Sequence, residues 1–425
     1  MKIAVLGSGA REHALSWKLS QSPDCERVFV LPGNGGTQNN IAIDPLDFVA
    51  IEQFCVQQGV SLIVVGAETP LAQGICAYFE HSTHSNIRVF GASKAAAQME
   101  SSKIWAKHFM SKYGIRTAPF WHFNDTQAPE VLPLMQQLNG NLVIKYDGLA
   151  AGKGVFVCAD LDEACSDLAR LEREYGRHTP FLIEHCLQGY EVSLIGFTDG
   201  KSLKMLPPAQ DHKQLLDNDK GPNTGGMGVF CPFPLTKEQY NDIQLNIINP
   251  TMRGIAAEGF AYKGILYFGI MLCPNGAYLL EYNTRLGDPE AEVLLPALES
   301  DLLAIICSCL DGNLEQFDIK LSENYFVDVV LASGGYPGAY SKDISIHGLE
   351  QMPPDSLIFH AGTRRTPEGN LLTAGGRVLN VVGQGNSLQD AIDKAYGYCS
   401  LINFEKMHYR RDIGSRKNAF HLPNE

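Results

Sequence analysis

In its first hundred residues the chain places its hydrophobic residues in short unbroken runs, each closed by glycine or proline. The runs are "KIAVL" at residues 2 to 6, "RVFVLPG", "SLIVVG" and "IRVFG". Four to six consecutive apolar residues between turn formers mark strands buried on both faces. Between them, stretches such as "AREHALSWKL" suit amphipathic helices. Strands alternating with helices predict a doubly wound open parallel sheet. Ligands in such sheets sit beyond the carboxyl ends of the strands. That places a site at the loops starting at Gly7, Pro32, Gly66 and Gly91.

From about residue 104 the pattern changes. "SSKIWAKHFMSKYG" predicts a helix capped by Ser101 or Ser102. "NLVIKYDG…GVFVCA", a helix at 161–173 and "PFLIEHCLQGYEVSLIGFTDG" predict a small α+β unit. "PAQDHKQLLDNDKGPNTGGMGVFCP" predicts a long polar loop, and such loops are usually functional. Two apolar strands, "GILYFGIMLC" and "AYLLEYN", precede one helix near 289–311. From about 324, "YFVDVVLASGGYPG" opens a last α/β segment with a helix near 387–400. The expected division is 1–103, 104–323 with a mobile subdomain at about 116–191, and 324–425. The expected fold is α/β and α+β multidomain.

Composition narrows the function classes. The 425 residues are 45% hydrophobic and 19% charged, with a net charge of −13 and no long basic run. That disfavours nucleic-acid binding, which needs a concentrated positive face. No apolar run approaches the ~20 residues of a membrane span. "MKIAVLGSG" lacks the long apolar core and cleavage site of a signal peptide. Eleven scattered cysteines without a C-x-x-C predict reduced thiols, a cytoplasmic location and no zinc site.

The chemistry-bearing stretches follow. "KYDGLAAGKGV" (145–155) is no Walker A loop, because Gly148 to Gly152 leaves three residues rather than four and Gly154 stands where a hydroxyl belongs. It reads either as a hairpin turn or as a phosphate-binding flap carrying Lys153; its length favours the flap. "GSGARE" lacks the third glycine of a dinucleotide turn, and no acid ends the second strand, so NAD is disfavoured. A small phosphorylated ligand at that helix start, with Arg11 and His13 beside it, fits better. In "LLEYNTRLGDPEAE" (279–292) a strand would put Glu281, Asn283 and Arg285 on one face and Leu280 and Tyr282 on the other. A carboxylate, an amide oxygen and an arginine in a row suit magnesium and a transferring phosphoryl group. An exposed strand face with an ion pair is the simpler alternative. Glu184 and Glu191 flank "HCLQGY" and suit a nucleotide pocket, although solvated glutamates would look the same.

Lys103 on a helix, Lys145 on a strand, a glycine flap, the hinge "IEHCL" and a late E-x-N resemble the ATP-grasp ligases. "GSGAREHALSWKL", "PGNGGT", "KYDGLAAGKGV", "QDHK", "GPNTGGMG", "EYNTRLGDPE", "GGYPG", "HAGT", "GGRVL" and "DIGSR", in order from Met1 to about Arg416, resemble the glycinamide ribonucleotide synthetase family. The resemblance implies that ATP converts glycine to a glycyl phosphate, which the amine of 5-phosphoribosylamine attacks, in de novo purine synthesis. It implies that Lys103 and Lys145, with Gly152, Lys153 and Gly154 of the flap, hold the ATP phosphates. Cys186 and Leu187 would read adenine, with Glu184 at its edge and Glu191 on the ribose. Glu281 and Asn283 would bind magnesium or manganese, and Arg285 would steady the transferring group, with Lys145 beside it in catalysis. Asp211, His212, Lys213, Thr224, Gly225 and Gly226 would line the carboxylate end. Gly9, Arg11, His13, Gly33, Asn34, Gly35 and Thr37 would receive the ribose phosphate.

The chain departs from the family pattern at Tyr146 (commonly Ala), His185–Cys186 (Glu-Phe) and Glu292 (Gln), and "EYGRHTP" replaces a second glycine lid. There Arg177 is either a compensating phosphate ligand or a surface residue. Rival readings are another ATP-grasp ligase with a different amine, a silent nucleotide sensor, and an oxidoreductase. Oligomeric state is open, with a monomer compatible.

Overall fold

The computed structural model describes residues 1–83, 86–150 and 154–415. Its largest element is an eight-stranded sheet. Four parallel strands, Arg88–Ala92, Leu62–Val65, Lys2–Gly7 and Arg27–Pro32, lie side by side in that order, as the apolar runs predict. The sheet does not stop there. Strand Tyr262–Cys273 pairs through its first two residues with Gly91 and Ala92, then with Tyr190–Thr198 and Gly276–Asn283. One twisted surface therefore runs from the parallel N-terminal strands into antiparallel ones. Ile3, Val5, Val30 and Val64 pack one face beside Ile195, Phe197 and Ile265, while Ala4, Leu6, Ile63 and Val65 pack the other.

A second unit is a four-stranded antiparallel sheet, Phe120–Phe123, Phe181–His185, Leu142–Tyr146 and Val155–Cys158. Its core, with Leu142, Ile144, Phe156, Phe181 and Ile183, is shared with Leu134, Met135, Ala164 and Leu171 from helices Val131–Gln137 and Leu161–Tyr175. The third is an antiparallel sheet in the order Gln210–Asp211, Gly228–Cys231, Tyr325–Ala332, Arg377–Gly385 and Leu357–His360. Helix Leu388–Cys399 packs on it through Ala391, Ala395 and Cys399.

Four expectations need correction. Tyr190–Thr198 leaves the small unit and joins the large sheet, because its run from Val192 to Thr198 is buried on both faces and needs strands on both sides. The polar stretch at 208–232 is not one loop; it forms the hairpin Gln214–Leu216 with Lys220–Asn223 and gives two strands to the third sheet. The single helix near 289–311 is two, Ala291–Ala297 and Leu302–Asp311. Leu298 turns extended, and Asp301 accepts from the Leu303 amide at 2.9 Å to start the second. The strand carrying Glu281 ends at Asn283, so Arg285 is not on it.

The glycines of the first turn have a local explanation. Helix Ala10–Leu19 begins with Glu12 folded back, its carboxylate accepting from the Gly9 amide at 2.6 Å. A Cβ on Gly7 would lie 2.5 Å from Glu12 Cδ, and one on Gly66 2.2 Å from Glu12 Oε1. The glycines make room for a buried carboxylate. Gly66→Ala should therefore lower stability by about 1–3 kcal/mol through overpacking, read as a lower denaturation midpoint. A midpoint equal to the parent's would show that Glu12 moves aside freely.

Candidate active site

The site lies where the small sheet faces the large one. Helix Lys103–Tyr113 starts it. Ser102 caps the helix, its Oγ accepting from the Trp105 amide at 3.1 Å. Lys103 and Lys107, four residues apart, share one helix face. Asp147, at the start of the glycine loop, accepts from the Ile104 amide at 3.0 Å and from Ser102 Oγ at 3.1 Å. Lys103 Nζ donates to the Gly148 carbonyl at 3.0 Å. The first stem of the loop is thus tied to the helix that carries Lys103. Gly152 and Lys153 lie outside the described residues, and Gly154 resumes the chain at the second stem. The ladder between Leu142–Tyr146 and Val155–Cys158 shows the expected hairpin.

Lys145 is buried, with Nζ 3.0 Å from Glu184 Oε1 and 3.3 Å from the Leu280 carbonyl. Burial opposes its charge, but Glu184 and Glu281 outweigh that and raise its pKa. Lys103 is pulled down by burial, against the pull of Glu281. Glu281 and Asn283 are half-buried, and their side-chain oxygens have no hydrogen-bond partner among the described residues. Gly269 stands opposite Glu281, and a Cβ there would lie 3.3 Å from Glu281 Cγ. Three hard, unengaged oxygens beside two ammonium groups fit a magnesium ion carrying phosphates. After strand Phe181–His185, the backbone groups of Cys186 and Leu187 make no hydrogen bond among the described residues and stay available to a base edge. Glu191 begins the next strand, half-buried on the same side of the cleft.

Beyond Asn283 the chain turns, and Arg285 folds back. Its Nη2 lies 2.8 Å from Glu100 Oε1 and its Nε 3.4 Å from Glu68 Oε2. Arg11 meets the same group from the N-terminal helix. It donates to Glu12 at 2.7 Å and to the Leu286 carbonyl at 3.1 Å, and lies 3.9 Å from Glu68. Burial works against the Arg11 charge, but Glu12, Glu68 and Asp288 outweigh it and hold it protonated. Arg11 is therefore committed to protein groups and joins the N-terminal loops to the Arg285 turn. His13 is committed as well: Nδ1 accepts from the His360 amide at 2.9 Å, and burial pushes its pKa down to about 4. In the loop 33–37, Asn34 Oδ1 accepts from the Gly36 and Thr37 amides and Nδ2 donates to Ser8, Gly9 and His360 carbonyls, while Gly35 donates to the Thr363 carbonyl. Gly33 takes a φ of 77°, a left-handed conformation that glycine adopts readily.

At the other end, Lys213 Nζ lies 2.6 Å from Asp211 Oδ2. Burial opposes the Lys213 charge, but Asp211, Tyr267, Glu290 and Glu191 outweigh it and hold it protonated. Glu290 is buried beside them and accepts from Ser193 Oγ at 2.7 Å and Tyr267 OH at 3.1 Å. The turn at 224–226 folds on itself: Thr224 donates to the Lys213 carbonyl and accepts from Gly226, while Arg377 donates to the Gly225 carbonyl at 2.7 Å. His212 does not join this group. It points to the opposite side, with Nδ1 3.2 Å from the Gly228 carbonyl, and burial lowers its pKa to about 4.

Tyr146 stacks on Tyr175 with ring centroids 3.9 Å apart, and Arg177 is paired with Asp125 at 3.0 Å. Sequence reasoning passed over Glu68, Glu100, Lys107, Glu290 and Arg377, and took Glu12 only as a missing third glycine. Glu290 was visible in "GDPE" and Arg377 in "GGRVL"; Glu68, Glu100 and Lys107 offered only single charges in helices, with no local signal of burial.

The phosphoribosylglycinamide synthetase models match this chain in three parts: the N domain over residues 1–100, the ATP-grasp (A) domain over 101–291 and the C domain over 326–416. The site is thus of the ATP-grasp class. The phosphoribosylamine–glycine ligase of Nostoc sp. is 43% identical over 99% of this chain and 100% of its own length. The trifunctional purine biosynthetic protein adenosine-3 of Gallus gallus is 42% identical over 99% of this chain, which spans 42% of that protein. The phosphoribosylamine–glycine ligase of Thermotoga maritima superposes with a TM-score of 0.81 at 34% identity, covering 97% of this chain and all of that one. The chain belongs to the phosphoribosylglycinamide synthetase family.

Two expected outcomes follow from the buried charges. Arg11→Ala leaves Glu12 without a cation in a dry site and Glu68 with Arg285 alone, which should cost about 3–5 kcal/mol and slow turnover through the Arg285 turn. Thermal denaturation and steady-state kinetics check both; a stable variant with only a weakened sugar-phosphate substrate would return Arg11 to ligand binding. Glu292 is fully buried, and neither carboxyl oxygen has a hydrogen-bond partner among the described residues. Burial, with Asp288 and Asp328 nearby, raises its pKa well above the usual carboxyl range. A raised folded pKa contributes no penalty below the unfolded value and an increasing one as pH rises toward the folded value. Glu292→Gln should therefore match the parent near pH 4.5 and become increasingly more stable above it, in urea titrations across pH; a constant difference would contradict this.

Proposed function

We propose that this chain ligates glycine to 5-phosphoribosylamine at the expense of ATP, giving glycinamide ribonucleotide, ADP and phosphate. The observation that carries this is the set of unengaged side-chain oxygens of Glu281 and Asn283, on one strand, with Glu281 beside Lys103 and Lys145. Lys103 and Lys145 hold the phosphate chain, with the flap carrying Gly152, Lys153 and Gly154 over it. A magnesium ion held by Glu281 and Asn283 would neutralise phosphate charge there. Cys186 and Leu187 offer backbone groups to adenine, with Glu184 at its edge and Glu191 on the ribose. The glycine carboxylate lies toward Lys213, within reach of Arg285, whose guanidinium steadies the charge of the glycyl phosphate. The turn at 224–226 closes that end and keeps water from the acyl phosphate. The amine substrate enters from the 33–37 loop, which the short strand Thr363–Arg365 braces through Thr363.

The same reading keeps the division 1–103, 104–323 and 324–425, and the separate core of the small sheet supports a subdomain inside the second part. It places the chain in the cytoplasm, supported by eleven free cysteines. No helix among the described residues is long and apolar enough to cross a membrane.

Phosphate release from ATP, measured with glycine and with and without phosphoribosylamine, tests the function. Full release should need both, and a different amine giving faster turnover would favour another ligase of this class. Glu281→Ala should lower kcat by roughly a hundredfold or more with an unchanged circular-dichroism spectrum; undiminished turnover at ordinary magnesium would sink the metal assignment.

A further inference from the structure

Glu184 is buried with two ammonium groups rather than one. Lys107 Nζ donates to Glu184 Oε2 at 2.9 Å and to Thr117 Oγ1 at 2.6 Å. Lys145 Nζ lies 3.0 Å from the other oxygen, Oε1, an ion-pair contact too poorly aligned to give that oxygen a hydrogen bond among the described residues. The side chains of Lys107 and Glu184 are each 2% exposed and that of Lys145 7%. A single carboxylate is shared between two cations in a dry strip, and Glu281 supplies further negative charge to Lys145. One lysine would be enough to pair Glu184 for stability alone. Only Lys145 borders the Leu280 carbonyl, next to Glu281. Lys107 is walled in by Thr117, which in turn donates to the Leu279 carbonyl at 2.6 Å, and by the Phe120 ring 5.9 Å away. The two lysines therefore have different surroundings: one is enclosed, the other opens on the cleft.

We infer that Lys107 is a positioning residue: by hydrogen-bonding Glu184 it keeps the Lys145 ammonium from closing onto that carboxylate and leaves it for the ATP phosphates. This rests on the reading that Lys145 meets the phosphate chain. Glu184 then acts as a charged tether that draws Lys145 to its place without consuming its donors. With Lys107 removed, Glu184 and Lys145 become an isolated pair in a low-dielectric site. Such a pair tightens into a direct charge-assisted hydrogen bond, and the phosphates must compete with it. The loss falls on the phosphates rather than the base.

The test compares dissociation constants of ATP with magnesium and of adenosine on the full chain, by calorimetry. Lys107→Met should weaken ATP by roughly tenfold or more while adenosine stays within about twofold. Lys107→Arg should retain most of the affinity, and Lys107→Met with Glu184→Gln should restore the ratio of ATP to adenosine affinity, since Lys145 then has no carboxylate to close upon. An unchanged ATP affinity in Lys107→Met, an equal loss for adenosine, or a double variant no better than Lys107→Met would each overturn the proposal. If Lys107→Met does not fold, the double variant, which loses one charge of each sign, carries the test: an affinity ratio far below the parent's overturns it. Lys145→Met separates the two readings, because an unchanged ATP affinity there would remove Lys145 from the phosphates altogether.

Discussion

Glu184 is the point on which the site's geometry depends. It belongs to the small sheet, takes one cation from helix Lys103–Tyr113 and another from its neighbouring strand, and that second cation reaches the large sheet at Leu280. Burying a carboxylate is unfavourable unless it is paired and hydrogen-bonded. The requirement therefore pulls three elements together at one place, the floor of the cleft. The Asp147 contacts to Ser102 and Ile104 fasten the glycine loop to the same helix. The placement of Lys103 and Lys145 is thus a consequence of electrostatic satisfaction.

A second set of charges does the same work between the N-terminal strands and the turn after Asn283. Arg11, Glu12, Glu68, Arg285 and Glu100 form a chain of opposite charges in a nearly dry space. Arg285 is held by Glu100, which also accepts from the Thr284 amide at 2.8 Å. Its guanidinium is pre-oriented before any substrate arrives, which is the condition for electrostatic catalysis to require little reorganisation. The shared eight-stranded sheet keeps the two halves of this chain in register.

Much of this was legible in the residues. The parallel strands followed from their apolar runs, and helix Lys103–Tyr113 from its cap and period. The oxygens of Glu281 and Asn283 stood out because a strand face rarely carries them without purpose. Less legible were features decided by distant partners. Nothing local in "YEVSLIGFT" states which sheet it joins; its pairing with Tyr262–Cys273 does. Glu12 looked like a missing glycine, while in space it is the reason Gly7 and Gly66 are glycines. Arg11 looked like a phosphate ligand at a helix start, and Leu286, 275 positions away, claims it. Lys107 was one lysine among several in an amphipathic helix, and only Glu184, 77 positions away, gives it a role.

The central claim is that ATP activates glycine as an acyl phosphate before the amine attacks. Glycine labelled with oxygen-18 in its carboxylate tests it directly, because attack on glycyl phosphate leaves one carboxylate oxygen on the departing phosphate. Mass spectrometry of the inorganic phosphate should show one labelled oxygen for each glycinamide ribonucleotide formed. Phosphate free of label, with product still accumulating, would contradict the account.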